Sequence, residues 1–185
     1  MRIAINVAAF YAAWFAAVLA AAKGWPMAAV GACLAVAALH LLLSPRRGVE
    51  FGLMAVSAMA GLAVETLMIQ AGLATYASSG PVEGFAPIWL VALWVAFATL
   101  FNVSLAWLKS RLWLAILFAF IGGPASYLAG AKLGGMVLAE PVWISLAVIG
   151  VLWAVAFPAL LVIARLTDAD SDPDKTPAKI TVSAR

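Results

Sequence analysis

Six long apolar runs, separated by short polar segments, occupy most of this 185-residue chain. A bilayer core of about 30 Å needs about 20 apolar residues in helical form, because lipid offers the backbone no hydrogen-bond partner. The pattern therefore predicts an all-α polytopic membrane protein with six transmembrane helices. These helices are predicted at approximately 3–22, 26–43, 49–71, 87–108, 112–130 and 141–164.

The connections between the apolar runs predict the orientation. Cytoplasmic segments carry an excess of lysine and arginine, and six spans place nine basic residues on one side and only Lys23 and Lys132 on the other. Both termini are therefore expected in the cytoplasm. Tryptophans are expected near the interfaces, with Trp25, Trp89 and Trp143 outside. The two longest outer connections, 72–86 and 131–140, are rich in turn-forming residues and are predicted to be irregular.

Composition excludes a water-soluble fold. The chain is 66% hydrophobic and 10% charged, with a mean hydropathy of +1.10, whereas a soluble domain is about 25% charged. One bundle is predicted over residues 1–166. The segment 167–185, with Asp168 and three further alternating aspartates, is predicted to be a disordered cytoplasmic tail. The net charge of +3 comes from residues flanking the spans, so no nucleic-acid partner is expected.

The third run carries the most informative polar residue. Glu65 is the only carboxylate placed within the hydrocarbon layer, and Glu50 lies fifteen residues earlier, at the inner interface. Fifteen residues correspond to about 22 Å along a helix and leave the two side chains within about 60° around its axis. That face is expected to point into the bundle, because a carboxylate exposed to lipid is costly.

Several residues at a similar depth are candidate partners for Glu65. They are Thr66, Gln70, Ser126, Tyr127 and Lys132. The preceding Gly122-Gly123-Pro124 is expected to break or kink the fifth span, since proline removes a backbone hydrogen bond. Two interpretations remain open: a functional site beside a broken helix, or a packing contact in which Glu65 forms an ion pair with Lys132 or, in its protonated form, bonds to Tyr127.

A second polar group is expected near the cytoplasmic ends of the spans: Asn6, His40, Glu50, Asn102 and Ser104. A histidine beside a carboxylate can exchange a proton near neutral pH, so His40 and Glu50 join Glu65 as candidate catalytic residues. The alternative is that His40 only satisfies a carbonyl or reaches the headgroups. Candidate substrate-binding residues are Asn102, Ser104, Tyr127, Lys132 and Trp89.

Known catalytic and cofactor motifs are missing from the sequence. Cys33 is the only cysteine and His40 the only histidine, so neither an internal disulfide nor a Cys/His metal site is expected. There is also no Gly-x-Ser-x-Gly elbow, no His-Glu-x-x-His and no phosphate loop. No cofactor and no metal are therefore predicted.

Longer motifs resemble a known family. The run Ala86-Pro87-Ile88-Trp89-Leu90-Val91-Ala92-Leu93-Trp94-Val95-Ala96-Phe97-Ala98-Thr99 and the segment Gly122-Gly123-Pro124 with Tyr127 are similar to a family of bacterial inner-membrane proteins of unknown function. The resemblance covers nearly the whole chain before the tail. It implies a place in the bacterial inner membrane and, from the lipid-modifying enzymes encoded near such proteins, a supporting role in lipid remodelling.

These observations give a leading functional hypothesis and two alternatives. The first is a lipid-directed role, in which a buried polar site around Glu65 modifies a membrane lipid or supports an enzyme that does. The second is a small-solute or proton-coupled transporter, and the third is a structural subunit of a membrane complex. The expected partners are membrane lipids. A second expected partner is a membrane or peripheral protein. Whether the protein is an enzyme is left open.

Overall fold

The computed structural model describes residues 2–80 and 82–169. Within these residues the chain forms six α-helices, one 3₁₀ helix and two short strands. The α-helices are α1 Arg2–Ala22, α2 Pro26–Leu43, α3 Arg47–Gln70, α4 Ile88–Ala98, α5 Leu112–Lys132 and α6 Val142–Ala169. The strands are β1 Ala74–Tyr76 and β2 Met136–Leu138, and the 3₁₀ helix is Ala106–Ser110.

The helices are those of an integral membrane protein. Five of them, α1, α2, α3, α5 and α6, are long and apolar enough to cross a bilayer. Each has 18 or more residues, which corresponds to at least about 27 Å of helix. The membrane prediction is thereby supported for the described part of the chain, while the sidedness of the termini stays a prediction.

The fourth predicted span, 87–108, is not one helix. Helix α4 has 11 residues, about 16 Å, and is followed by turns before the 3₁₀ helix. Thr99 ends α4 because its hydroxyl donates to the Ala96 carbonyl at 2.7 Å, while Asn6 of α1 donates to the Thr99 carbonyl at 3.1 Å. Side chains thus donate hydrogen bonds to backbone carbonyls that amides of the next helical turn would otherwise donate to.

The two connections between α3 and α4 and between α5 and α6 contain a small sheet that the sequence pattern did not predict. Strand β1 pairs antiparallel with β2, with Tyr76 opposite Met136. Helices α3 and α5 lead into these strands in the same way, through Gly72 at φ 67° and Gly134 at φ 83°. Both glycines adopt the left-handed conformation that commonly ends a helix. We call this end of the bundle the sheet end.

A break or a kink was predicted in the fifth span, and the break is wrong, because α5 is helical from Leu112 to Lys132 with Pro124 inside it. Proline cannot donate to the Phe120 carbonyl four residues earlier. That oxygen lies against α6, 3.0 Å from where a Cβ on Gly150 would be. A Cβ on Gly123 would lie 2.7 Å from Cγ of Trp153. The Gly-Gly-Pro segment therefore lets α6 approach α5 closely.

Helix α6 also extends further than predicted. It continues through Thr167 and Asp168 to Ala169, so the boundary expected at 166/167 falls inside the helix. Asp168 forms ion pairs with two basic side chains, Arg46 and Lys109. The remainder of the predicted tail, 170–185, lies outside the described residues.

Helix α4 lies in the middle of the bundle, against α1, α2 and α3, while α5 packs mainly on α6. Its tryptophans are buried, and Trp89 is fully so. Trp25 and Trp143 are exposed, whereas Trp89 is covered by the bundle, and the place of all three at the outer interface stays a prediction. The arrangement leaves α1 and α5 on either side of α4.

Candidate functional site

Glu65 lies on the buried face of α3, with 1% of its surface exposed. Three side chains donate hydrogen bonds to its carboxylate. Tyr127 of α5 and Trp94 of α4 both donate to Oε1, the latter from Nε1 at 2.9 Å. Tyr76 of β1 donates to Oε2. The Glu65 site therefore consists of one carboxylate and three donors from three other elements.

Each donor is positioned by a local feature of the fold. Pairing with β2 holds Tyr76 over the end of α3. Trp94 packs directly on α3 at Gly61, where a Cβ would lie 2.3 Å from Cγ of the indole. Tyr127 is one turn beyond Pro124 on the side of α5 that packs inward. The site is thus built into the packing of the sheet end.

The hydrogen bonds explain how a carboxylate is accommodated here. Its two oxygens offer about four acceptor positions, and three are used. Within residues 2–80 and 82–169, no lysine or arginine forms an ion pair with Glu65. Burial raises the pKa of the Tyr76 hydroxyl above its ordinary value, so Tyr76 keeps the proton that it donates.

The structure brings Glu65 and Tyr127 together, as one of the two open interpretations predicted. The alternative partner Lys132 is exposed at the end of α5, so the predicted Glu65–Lys132 pair is wrong. Gln70 is also exposed. Thr66 accepts a hydrogen bond from the Ala86 amide at 3.1 Å, which fixes the chain leading into α4.

Sequence reasoning missed Tyr76 and Trp94 as members of the site. Trp94 is also a packing residue, since its ring lies 4.8 Å from that of Trp153 between centroids. Its position within an apolar run gave no sign that the indole N–H meets a carboxylate. Tyr76 lies in a segment with no periodicity, and only the strand pairing brings it to Glu65.

A groove of about 590 Å³ reaches the Glu65 site from the side of the bundle. It runs between α1 and α5 over α4, and its lining is mostly aromatic and apolar. Tyr11, Phe15 and Phe118 line it and are about half exposed, so the groove opens on the outer surface of the bundle. Glu65, Tyr127 and Trp94 line its deeper part, and Ser104 and Trp107 lie toward the opposite end.

A second polar cluster lies at the end of the bundle away from the sheet. His40 Nε2 is 3.1 Å from Glu50 Oε2, at a distance suited to an ion pair but without hydrogen-bond geometry. Asn102 donates to Glu50 Oε1 at 2.9 Å. The predicted proximity of His40, Glu50 and Asn102 is therefore present in the structure, and catalysis by His40 stays a prediction.

The cluster extends to residues that the sequence analysis had counted only as topology signals. Lys109 is buried, donates to Asn102 Oδ1 and lies 2.6 Å from Asp168 Oδ2. Arg46 Nη2 lies 2.5 Å from Asp168 Oδ1. Six polar groups thus form a continuous chain that ties α2 and α3 to the segment after α4 and to the end of α6.

Asn6 and Ser104 belong to neither cluster. The Ser104 hydroxyl donates to Asn6 Oδ1 at 2.5 Å, and this pair joins α1 to the turns that follow α4. Ser104 also lines the groove. The predicted inner group therefore divides in two, and its His40–Glu50 part is about 22 Å along α3 from Glu65, too far for the two carboxylates to act on one atom.

Comparison with known families gives one match. The sequence model of a family described as a protein of unknown function, DUF2878, matches residues 3–159. The chain belongs to this family. No curated protein and no solved structure matches it. The predicted membership of an uncharacterised family is confirmed, and the DUF2878 match covers the groove and the Glu65 site, including Tyr76, Trp94 and Tyr127.

Proposed function

We propose that this protein has a lipid-directed role in the bacterial inner membrane, with both termini in the cytoplasm. It binds an acyl chain of a membrane lipid in the groove between α1 and α5. There it either modifies that chain or presents it to a partner enzyme. The groove carries the proposal: an apolar, aromatic channel that opens toward the lipid-facing surface and reaches a buried carboxylate.

The dimensions of the groove support this ligand. Small-molecule sites usually measure about 300–1,000 Å³ and combine apolar walls with a few polar groups. The groove has about 590 Å³, and three of its lining residues, Glu65, Trp94 and Tyr127, form one hydrogen-bonded polar group. Its rim consists of apolar side chains on α1 and α5 that would face lipid tails, so a chain can enter sideways without crossing water.

The Glu65 carboxylate is the group that would act on the lipid or position it. Its fixed donors leave about one of four acceptor positions open, which is sufficient to accept a hydrogen bond from a polar group of a bound lipid. The transporter alternative would involve movement of a fifth span broken at Gly122-Gly123-Pro124. Helix α5 is continuous between Leu112 and Lys132, so that alternative loses the predicted break.

The test compares membrane lipids of cells that lack the gene with those of cells that regain it. Wild-type protein and Glu83→Gln, a change at an exposed carboxylate, should restore the acyl-chain composition. Glu65→Gln should not, although it reaches the membrane in equal amount by immunoblotting. Identical lipid profiles with and without the gene, in growing and stressed cells, would refute the proposal.

A further inference from the structure

The groove between α1 and α5 is covered at the sheet end. Gly135 packs so closely on α1 that a Cβ there would lie 2.9 Å from Cγ1 of Val18. Ser78 donates a hydrogen bond to the Ala21 carbonyl at 3.0 Å, and both Val18 and Ala21 are buried. The segments around the small sheet therefore close the gap between the two helices at this end. A lipid headgroup, which stays in contact with water, is favoured at the other end of the groove.

The other end of the groove is suited to a membrane interface. Ser104 and Trp107 line the groove there, and Trp107 is 44% exposed. Its ring meets that of Phe118 on α5 edge-on, with centroids 6.0 Å apart. Tryptophan is enriched where the hydrocarbon layer meets the headgroups. An exposed indole at this end therefore fits the part of a lipid between its headgroup and its acyl chain.

Two arginines flank this open end, one on each helix of the groove. Arg2 begins α1, and the carbonyl of the next residue, Ile3, accepts a hydrogen bond from the Ser104 hydroxyl at 3.3 Å. Arg111 immediately precedes α5, and its amide donates to the Leu108 carbonyl at 2.9 Å. Ser104 and Leu108 both line the groove. The backbone at both arginines therefore adjoins the groove wall, on opposite sides of the open end.

Arg2 and Arg111 have no partner in the part of the chain that the structure describes. Both residues are exposed, and neither side chain forms an ion pair or a hydrogen bond with a described residue. The two described carboxylates at this end, Glu50 and Asp168, already lie in the second polar cluster. The open end therefore carries two positive charges that the described residues do not neutralise. A guanidinium binds a phosphate group through two parallel N–H donors, so phosphate is the complementary ligand.

We infer that the groove binds an anionic phospholipid, with its phosphate headgroup between Arg2 and Arg111 and an acyl chain directed toward Glu65. This orientation keeps the negative headgroup away from the buried carboxylate. Tyr127, which donates to Glu65, follows Arg111 by sixteen residues, about 24 Å along α5. The inference rests on the proposed function, because it names the class of lipid that the groove takes and the direction in which the lipid lies.

The experiment measures competition for the purified full-length protein in detergent micelles, with radiolabelled phosphatidylcholine as the bound probe. Unlabelled phosphatidylglycerol, which is anionic, and unlabelled phosphatidylcholine, which is zwitterionic, carry the same acyl chains. Phosphatidylglycerol should compete more strongly, by about fivefold for each arginine that contacts the headgroup.

A double variant and a charge-matched control test the two arginines. Arg2→Gln/Arg111→Gln should bind phosphatidylcholine as the wild type does and lose the preference for phosphatidylglycerol. Arg47→Gln/Arg165→Gln removes the same charge from exposed arginines of α3 and α6 at the same end of the bundle. The control should retain the preference, because the groove lies between α1 and α5.

A further arm distinguishes a lipid headgroup from free phosphate. Inorganic phosphate in excess should displace the labelled lipid no more than potassium chloride of equal ionic strength, because the acyl chain holds the lipid in the groove. Displacement by phosphate beyond that of chloride would show that the site takes the free ion and would overturn the lipid assignment.

The outcomes separate this inference from the proposed function. Equal competition by the two lipids in the wild-type protein would overturn the inference and leave acyl-chain binding in place, and this arm does not depend on any variant folding. A preference that persists in folded Arg2→Gln/Arg111→Gln would overturn the role of the two arginines. Failure to bind either lipid would overturn both proposals.

Discussion

The Tyr76 hydroxyl donates a hydrogen bond to Glu65 Oε2, although Tyr76 lies in a strand outside the helices and Glu65 lies inside α3. Tyr76 is paired across the sheet with Met136, whose side chain lines the groove. The small sheet therefore has a direct part in the buried site. It connects the α3–α4 and α5–α6 connections to Glu65, the only carboxylate among the residues that line the groove.

This relationship predicts that Tyr76→Phe destabilises the protein. The change keeps the ring and removes one of three donors to a buried carboxylate. Leaving a buried acceptor without one of its partners costs about 1–3 kcal/mol, so the free energy of unfolding should fall by about that amount. Equilibrium unfolding in mixed detergent micelles measures it.

Tyr11→Phe is the matched control. Tyr11 is 55% exposed on α1, and loss of its hydroxyl should change stability by less than about 0.5 kcal/mol. Equal effects of the two substitutions would show that the hydroxyl of Tyr76 does not stabilise Glu65.

Alanine substitutions at Gly122 and Gly123 of α5 should have different effects on the stability of the protein. A Cβ on Gly123 would meet Trp153 at 2.7 Å, whereas a Cβ on Gly122 meets nothing within 4 Å. Gly123→Ala should therefore cost about 1–3 kcal/mol through overpacking between α5 and α6. Gly122→Ala should be neutral or slightly stabilising, because alanine is the better helix former.

The same unfolding assay compares the two alanine variants. Similar losses at both positions would indicate that α5 needs the flexibility of both glycines, as the sequence had suggested, and would contradict a packing role confined to Gly123.

The helices and the burial of Glu65 could be predicted from sequence because both follow from the cost of polar groups in lipid. Apolar runs of about 20 residues have few alternatives to a spanning helix. An acidic residue inside such a run must face protein. Tyr127 was found by the same reasoning, since its depth on α5 matches that of Glu65.

The small sheet, the role of the Gly-Gly-Pro segment and the early end of α4 could not be predicted, because they depend on contacts between distant segments. Strands of three residues, such as Ala74–Tyr76, have no intrinsic stability and form only because a partner strand lies beside them. Gly122-Gly123-Pro124 fits either a break or close packing, and the position of Trp153 on α6 decides between them. Thr99, Asn102 and Ser104 in the fourth apolar run were the available sign that its helix ends early.

The chain of charges at the end of α6 predicts a modest stabilisation by Asp168. Its carboxylate lies 2.6 Å from the buried Nζ of Lys109, but its own side chain is 38% exposed, so solvent screens the pair. Asp168→Asn should lower the free energy of unfolding by about 1 kcal/mol. Unfolding at low and high salt measures the effect, which should shrink as salt rises.

Glu83→Gln, at an exposed carboxylate outside the helices, is the control for Asp168→Asn and should leave stability unchanged at both salt concentrations. A loss at Asp168 that is independent of salt would point to helix packing rather than charge as its cause.

Filling the groove tests the proposed lipid site without touching the Glu65 carboxylate. Gly122 lines the groove, and a side chain there would extend into open space. Gly122→Phe should therefore reduce photocrosslinking of a diazirine-bearing acyl chain to α1 and α5 by about tenfold, equivalent to about 1.4 kcal/mol of binding.

Gly52→Phe introduces the same ring on α3, at another exposed helical glycine with open space around it. Because Gly52 does not line the groove, its variant should crosslink like the wild type, and equal labelling of all three proteins would place the bound lipid elsewhere.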